Sequence, residues 1–132
     1  MTPATTTNTA ARPFAGCSIL IVEDEYFLAD DLANEFARRG ADIIGPFSEV
    51  AKAVELLKSG SRIDAALLDI NVKSETIFPL AHGLRQRNIP FVFTTGYDKD
   101  YVCPEFVDIP VCEKPLDIAA VLGCLAGQMH RD

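Results

Sequence analysis

Short apolar runs alternate along this chain with stretches whose apolar positions recur every three or four residues. The runs are Ser18–Val22, Ala41–Ile44, Ile63–Leu68, Ile89–Phe93 and Ile109–Cys112. They are rich in β-branched and aromatic side chains and predict strands. Helical periodicity covers residues 26–39, 49–58, 77–87 and 118–129. In the first helix Phe27, Leu28, Leu32 and Phe36 share a face, and Gly40 after Arg38-Arg39 reads as the stop. Gly45-Pro46 closes the second strand, and Ser48 reads as the N-cap of the second helix. Leu80 and Leu84, with Ile77, face inward in the third helix. Asp117 caps the last, whose stripe is Ile118, Val121, Leu122, Leu125 and Met129. The third run is apolar on both faces, as a strand at the centre of a parallel sheet must be. Asp98–Asp108 has poor periodicity and holds Pro104, so it predicts a short helix at most.

Strands and helices in this order predict an α/β chain. The arrangement is a doubly wound, flavodoxin-like (βα)5 fold with a five-stranded parallel sheet in the order 2-1-3-4-5. The Thr-, Ala- and Pro-rich residues 1–15 read as a flexible tail, and residues 16–132 as one domain. A length of 132 residues fits a single domain, and 48% hydrophobic content supports a real core. A formal net charge of −7 argues against nucleic acid or an anionic membrane as a direct partner. No apolar run reaches the length of a membrane span, and the N-terminus lacks a secretory pattern, so the expected location is the cytoplasm. The four cysteines form no CxxC pair and read as small core hydrophobes in a reducing compartment.

The ends of the runs carry the chemistry. The first runs into Glu23-Asp24, the third into Asp69, the fourth into Thr95-Gly96 and the fifth into Lys114. In parallel sheets, ligands bind beyond the carboxyl ends of the strands. The predicted order places strands one and three side by side, so Glu23, Asp24 and Asp69 crowd one crevice. Two such charges ~4 Å apart cost about 4 kcal/mol at an effective dielectric of ~20. Mg²⁺ offsets that cost, since it takes one or two carboxylates, waters and phosphate oxygens. Asp69 is then a carboxylate nucleophile for a phosphoryl group. Lys114 pairs with Asp69 at rest and with a phosphoryl oxygen after transfer, the Thr95 hydroxyl donates to another, and Gly96 leaves room for a backbone N–H. Each residue alone has a plainer reading: acids before a helix favour its dipole, and a lysine before proline is commonly solvated. Their order, one set per strand end, points to a shared site.

These residues resemble the receiver domain of two-component response regulators over about Cys17 to Gln128. ILIVEDE, LLDIN, TTG and EKP correspond to its four signature blocks in order. The resemblance implies that Asp69 is the phospho-acceptor. Glu23, Asp24, Asp69 and the main-chain carbonyl of Asn71 would hold Mg²⁺, with Glu23 bound directly or through water. Thr95 would be the switch hydroxyl and Lys114 the phosphate-pairing lysine. A finer resemblance is to the stand-alone FATGUY receivers, through Phe93-Thr94-Thr95-Gly96-Tyr97, with Thr94 in place of Ala. Those are linked to histidine kinases of the HWE or related type. Receivers commonly carry Tyr or Phe three residues before the lysine; here that residue is Val111, and Tyr97 is the candidate replacement in the loop after strand four.

The resulting expectation is a single-domain response regulator phosphorylated by a histidine kinase or phosphotransferase. It signals by protein contact or acts as a phosphate sink, with no turnover enzyme activity. The alternative is a constitutive protein-binding module that kept the pocket without using it. Hydrolases with a similar rim usually carry a general-acid Asp two residues after the nucleophile, where this chain has Asn71. Tyr101, Phe106 and Val107 are candidates for either a partner surface or the core. The loop from Tyr97 to Phe106 is the expected mobile switch segment.

Overall fold

Five parallel strands form one sheet in the computed structural model, which describes residues 13–72, 76–96 and 103–130. They are β1 (Ser18–Val22), β2 (Asp42–Phe47), β3 (Ala65–Asp69), β4 (Phe91–Thr95) and β5 (Val111–Glu113). The order across the sheet is β2-β1-β3-β4-β5, as the pattern predicts. Four α-helices are described: α1 (Tyr26–Arg38), α2 (Val50–Lys58), α3 (Phe78–Gln86) and α4 (Ile118–Met129). Between β4 and β5 the described residues hold only a 3₁₀ turn at Pro104–Phe106.

Strand alternation divides the core into two. Leu20, Val22, Ala66, Leu68, Phe91 and Phe93 face α2 and α3, while Ile19, Ile21, Ala65, Leu67 and Val92 face α1 and α4. Every residue of β3 and β4 is buried, which explains their unbroken apolar runs. α4 starts as expected: the Asp117 carboxylate accepts from Ala120 N–H at 3.3 Å, and Val121, Leu122 and Leu125 are buried. α1 ends as expected at Gly40, whose φ of +96° favours glycine. A Cβ there would also lie 2.8 Å from Ala15 Cα.

Several expectations are corrected. Phe27 does not share the buried face of α1. It is 80% exposed and meets Tyr26 edge-on at 5.3 Å, because the helical period places Ala29, Leu32 and Phe36 inward. β2 does not close at Gly45-Pro46. A register shift between Leu20 and Val22 lets it run on to pair Phe47 with Val22, and Glu23 N–H donates to Phe47 O at 2.9 Å. α2 begins one residue later than Ser48 would cap; Glu49 occupies the cap position without a side-chain bond. The strands after β2 each extend one or two residues beyond their expected ends, which brings Asp69 and Thr95 into the sheet itself.

Residues 1–12 lie outside the described residues. Phe14, assigned above to the tail, is buried and packs edge-on against Phe36 at 5.1 Å. Phe14 N–H and Gly16 N–H bond the carbonyls of Arg39 and Gly40, so residues 13–16 strap the end of α1. Phe106 belongs to the core, with ring contacts of 5.8–5.9 Å to Phe78, Phe91 and Phe93, whereas Val107 is exposed. Tyr101 lies outside the described residues. All four cysteines are free thiols; only Cys124 is exposed. Burial, with Cys124 nearby, pushes the Cys112 thiol up to about 11. Among the described residues, no helix is long and apolar enough to cross a membrane.

Candidate functional site

Register alone aligns the polar strand ends. Val22 pairs with Leu68, Asp69 with Thr94 and Thr95 with Glu113, so the residues that follow reach one rim. Backbone bonds tie this rim together: Lys114 N–H donates to Thr95 O at 2.8 Å and Ile70 N–H to Thr94 O at 2.9 Å. The groups predicted from separate strands therefore meet with little freedom. Asp24, Glu25, Asp69, Asn71, Gly96, Lys114 and Pro115 line a cavity of about 590 Å³ at this rim.

Lys114 is the hub. Its Nζ donates to Asp69 Oδ2 at 3.2 Å, Glu23 Oε2 at 3.2 Å and Glu25 Oε2 at 2.5 Å. Burial pulls its proton affinity down, but Glu25, Asp69 and Glu23 outweigh burial, so the amine holds its proton well above its ordinary range. Asp69 is buried, and its Oδ1 accepts the Asn71 N–H at 3.0 Å, which fixes the carboxylate plane. Glu23 is 3% exposed. Burial, reinforced by Asp69, pushes it up to about 7 against the pull of the Glu25 amide and Lys114.

Two buried oxygens are left without a hydrogen bond among the described residues: Glu23 Oε1 and Thr95 Oγ1. Glu23 Oε1 lies 3.1 Å from Lys114 Nζ but lacks bonding geometry. A buried polar atom without a partner is costly, and such atoms mark places where a ligand completes the structure. Glu23, Asp24 and Asp69 each place a carboxylate oxygen within 4.8 Å of the others. Hard oxygen donors and an orphaned carboxylate oxygen fit a small divalent cation such as Mg²⁺. Asn71 borders the same cavity. A Cβ at Gly96 would stand 3.5 Å from Lys114 Cδ, ordinary contact, so the space left by this glycine is modest. Tyr97 lies outside the described residues.

Sequence reasoning missed the role of Glu25 at this site. In the sequence Glu25 is one more acid before a helix, and nothing in a linear pattern shows that its side chain turns from the helix to Lys114. Its adjacency to the acid pair was the one available signal.

No family model and no curated protein matches the chain. Solved structures do. A response regulator receiver protein from Sinorhizobium medicae WSM419 is 27% identical, with a TM-score of 0.75 over 86% of this chain and 94% of that one. SdrG from Sphingomonas melonis Fr1 is 36% identical, with a TM-score of 0.64 over 83% of this chain and 95% of that one. The BeF3-activated conformation of SdrG from Pseudomonas melonis Fr1 is also 36% identical, with a TM-score of 0.61 over 85% and 98% of the two chains.

Proposed function

This chain belongs to the response regulator receiver family, and on that premise we propose that Asp69 accepts a phosphoryl group, with Mg²⁺, from a histidine kinase or phosphotransferase. The observation that carries the proposal is a buried, amide-oriented Asp69 bonded to Lys114 and gathered with Glu23 and Asp24, while the Thr95 hydroxyl at the end of the neighbouring strand is buried without a partner. As the bond from phosphorus to its donor breaks, the bond to an Asp69 oxygen forms and gives an acyl phosphate. Lys114 then pairs with a phosphoryl oxygen, and Thr95 Oγ1 gains the partner it lacks. Glu23, Asp24, Asp69 and the Asn71 carbonyl are the ligands proposed for the cation. A bound Mg²⁺ supplies the charge neutralisation that lets a phosphoryl group approach so many carboxylates.

The protein signals by contact or drains phosphate from its kinase, and it has no turnover activity, since Asn71 stands where a general acid is needed. It acts in the cytoplasm and is of the stand-alone FATGUY type, served by an HWE-type or related kinase. Support for that subtype is the Phe93–Tyr97 stretch. Tyr97 replaces the aromatic missing at position 111 as the switch residue.

One observation favours a second reading, a constitutive protein-binding module. Val111 packs half-buried against the Phe93 side of the core, leaving no aromatic there to change rotamer. Incubation with a small acyl phosphate and Mg²⁺, followed by intact mass, separates the two. A phosphoryl adduct that vanishes in Asp69→Asn is expected; an unmodified wild type leaves the constitutive module.

A further inference from the structure

Glu25 shares the cavity but has no part in the reaction described above. It occupies the cap position of α1 with extended backbone, φ −81° and ψ 109°. Carboxylates at that position ordinarily accept from the first-turn amides of their own helix. Glu25 makes no such bond. Its side chain turns instead to Lys114, and this 2.5 Å contact is shorter than those Lys114 makes to Glu23 or Asp69. Glu23 and Asp69 belong to the carboxylate group able to hold a cation, and Glu25 does not. With Glu23 and Asp69 engaged on a cation, their pull on Lys114 weakens while the Glu25 bond is untouched. An ammonium has three donors, and three carboxylates occupy them here. A phosphoryl oxygen on Asp69 then shares these donors with Glu25, the one of the three carboxylates outside the cation-holding group.

We propose that Glu25 is a positioning residue that competes with the phosphoryl group on Asp69 for Lys114, and so sets how tightly the phosphorylated state is held. The proposal rests on the phospho-acceptor reading of Asp69. The exchange is easy on the Glu25 side, because its side chain is 59% exposed against 14% for Lys114. On release, the Glu25 carboxylate regains water, whereas the Lys114 amine stays in the cavity and meets the phosphoryl oxygen. Solvent screening of so exposed a carboxylate keeps the competition mild.

The test uses the full chain with Mg²⁺ and BeF₃⁻ as the phosphoryl stand-in, its affinity followed by NMR. Glu25→Gln is expected to bind BeF₃⁻ about two- to fivefold more tightly than wild type, the range of a partly screened ion pair. Glu25→Asp, one methylene shorter, is expected to shift in the same direction. In a Lys114→Gln background, Glu25→Gln is expected to change nothing, since the competition acts through the lysine. In the metal-free protein, Glu25→Gln is expected to speed exchange of the Lys114 ammonium protons with water, a readout that needs no double variant. Equal affinity for wild type and Glu25→Gln overturns the proposal. So does tightening that persists without Lys114, which marks general charge repulsion. A wild type that binds no BeF₃⁻ overturns the phospho-acceptor reading as well; a responsive wild type with an indifferent Glu25→Gln overturns the role of Glu25 alone.

Discussion

Glu23 shows how one buried carboxyl couples the site to pH. The folded protein keeps its proton up to about 7, whereas an unburied glutamate releases it near 4.5. Between those values the folded state binds more protons than the unfolded chain, so metal-free stability declines as pH rises from 4.5 to 7. A shift of that size is worth on the order of 3 kcal/mol. Urea melts of the metal-free protein at pH 5 and pH 8 are expected to show this loss, and Glu23→Gln to flatten it. A cation requires the carboxylate form, so Mg²⁺ affinity is expected to fall below pH 7 in wild type. A pH-independent affinity would remove Glu23 from the ligand set. The identities of Glu23, Asp69, Thr95 and Lys114 were legible because each ends an apolar run. The direction in which Glu25 points was not, since side-chain rotation leaves no periodic trace.

Among the elements, the turn at Pro104–Phe106 joins the rim strands β4 and β5 to α3. Arg85 of α3 donates to Glu105 O at 2.8 Å and to both oxygens of Asp108 at 2.9 and 3.0 Å. Its guanidinium also lies 4.9 Å from the centre of the Phe106 ring, and His82 Nδ1 bonds Glu105 Oε2 at 2.7 Å. These contacts anchor the turn that precedes β5. Phe106→Ala is expected to cost about 3–5 kcal/mol in chemical denaturation, as for a fully buried aromatic. Arg85→Ala is expected to cost only ~1 kcal/mol, because the pair is half exposed. Near-neutral behaviour of Phe106→Ala would show that the turn is not held by its ring. Element type was legible wherever a run or period was long, but ends drifted by one or two residues. β2 overran its Gly-Pro because the register shift, a property of its pairing with β1, lies outside its own sequence. Phe14 escaped, and Phe106 stayed open between surface and core, because each is a lone aromatic in a stretch without period, buried by distant partners.

At the scale of the molecule, Glu23, Asp24, Glu25 and Asp69 gather part of the chain's net charge of −7 at one rim. Lys114 is the cation that the described residues place among them. A divalent ion that binds only the folded state stabilises it, by about 2.7 kcal/mol at one hundred times its dissociation constant. Thermal melts are therefore expected to rise with Mg²⁺ in wild type and to stay flat in Asp24→Asn. Equal gains in both would place the ion elsewhere. The overall architecture was legible because a parallel sheet leaves few arrangements for alternating strands and helices.

The uneven chemistry of the cysteines has a practical use. With the Cys112 thiol pushed up to about 11 and Cys124 alone exposed, neutral-pH alkylation is expected to label Cys124 first, as peptide mapping would show. Cys124 lies on α4, the helix that begins four residues after Lys114. A spin label or fluorophore at that thiol would eavesdrop on the lysine's strand from the outer surface, leaving the carboxylates untouched.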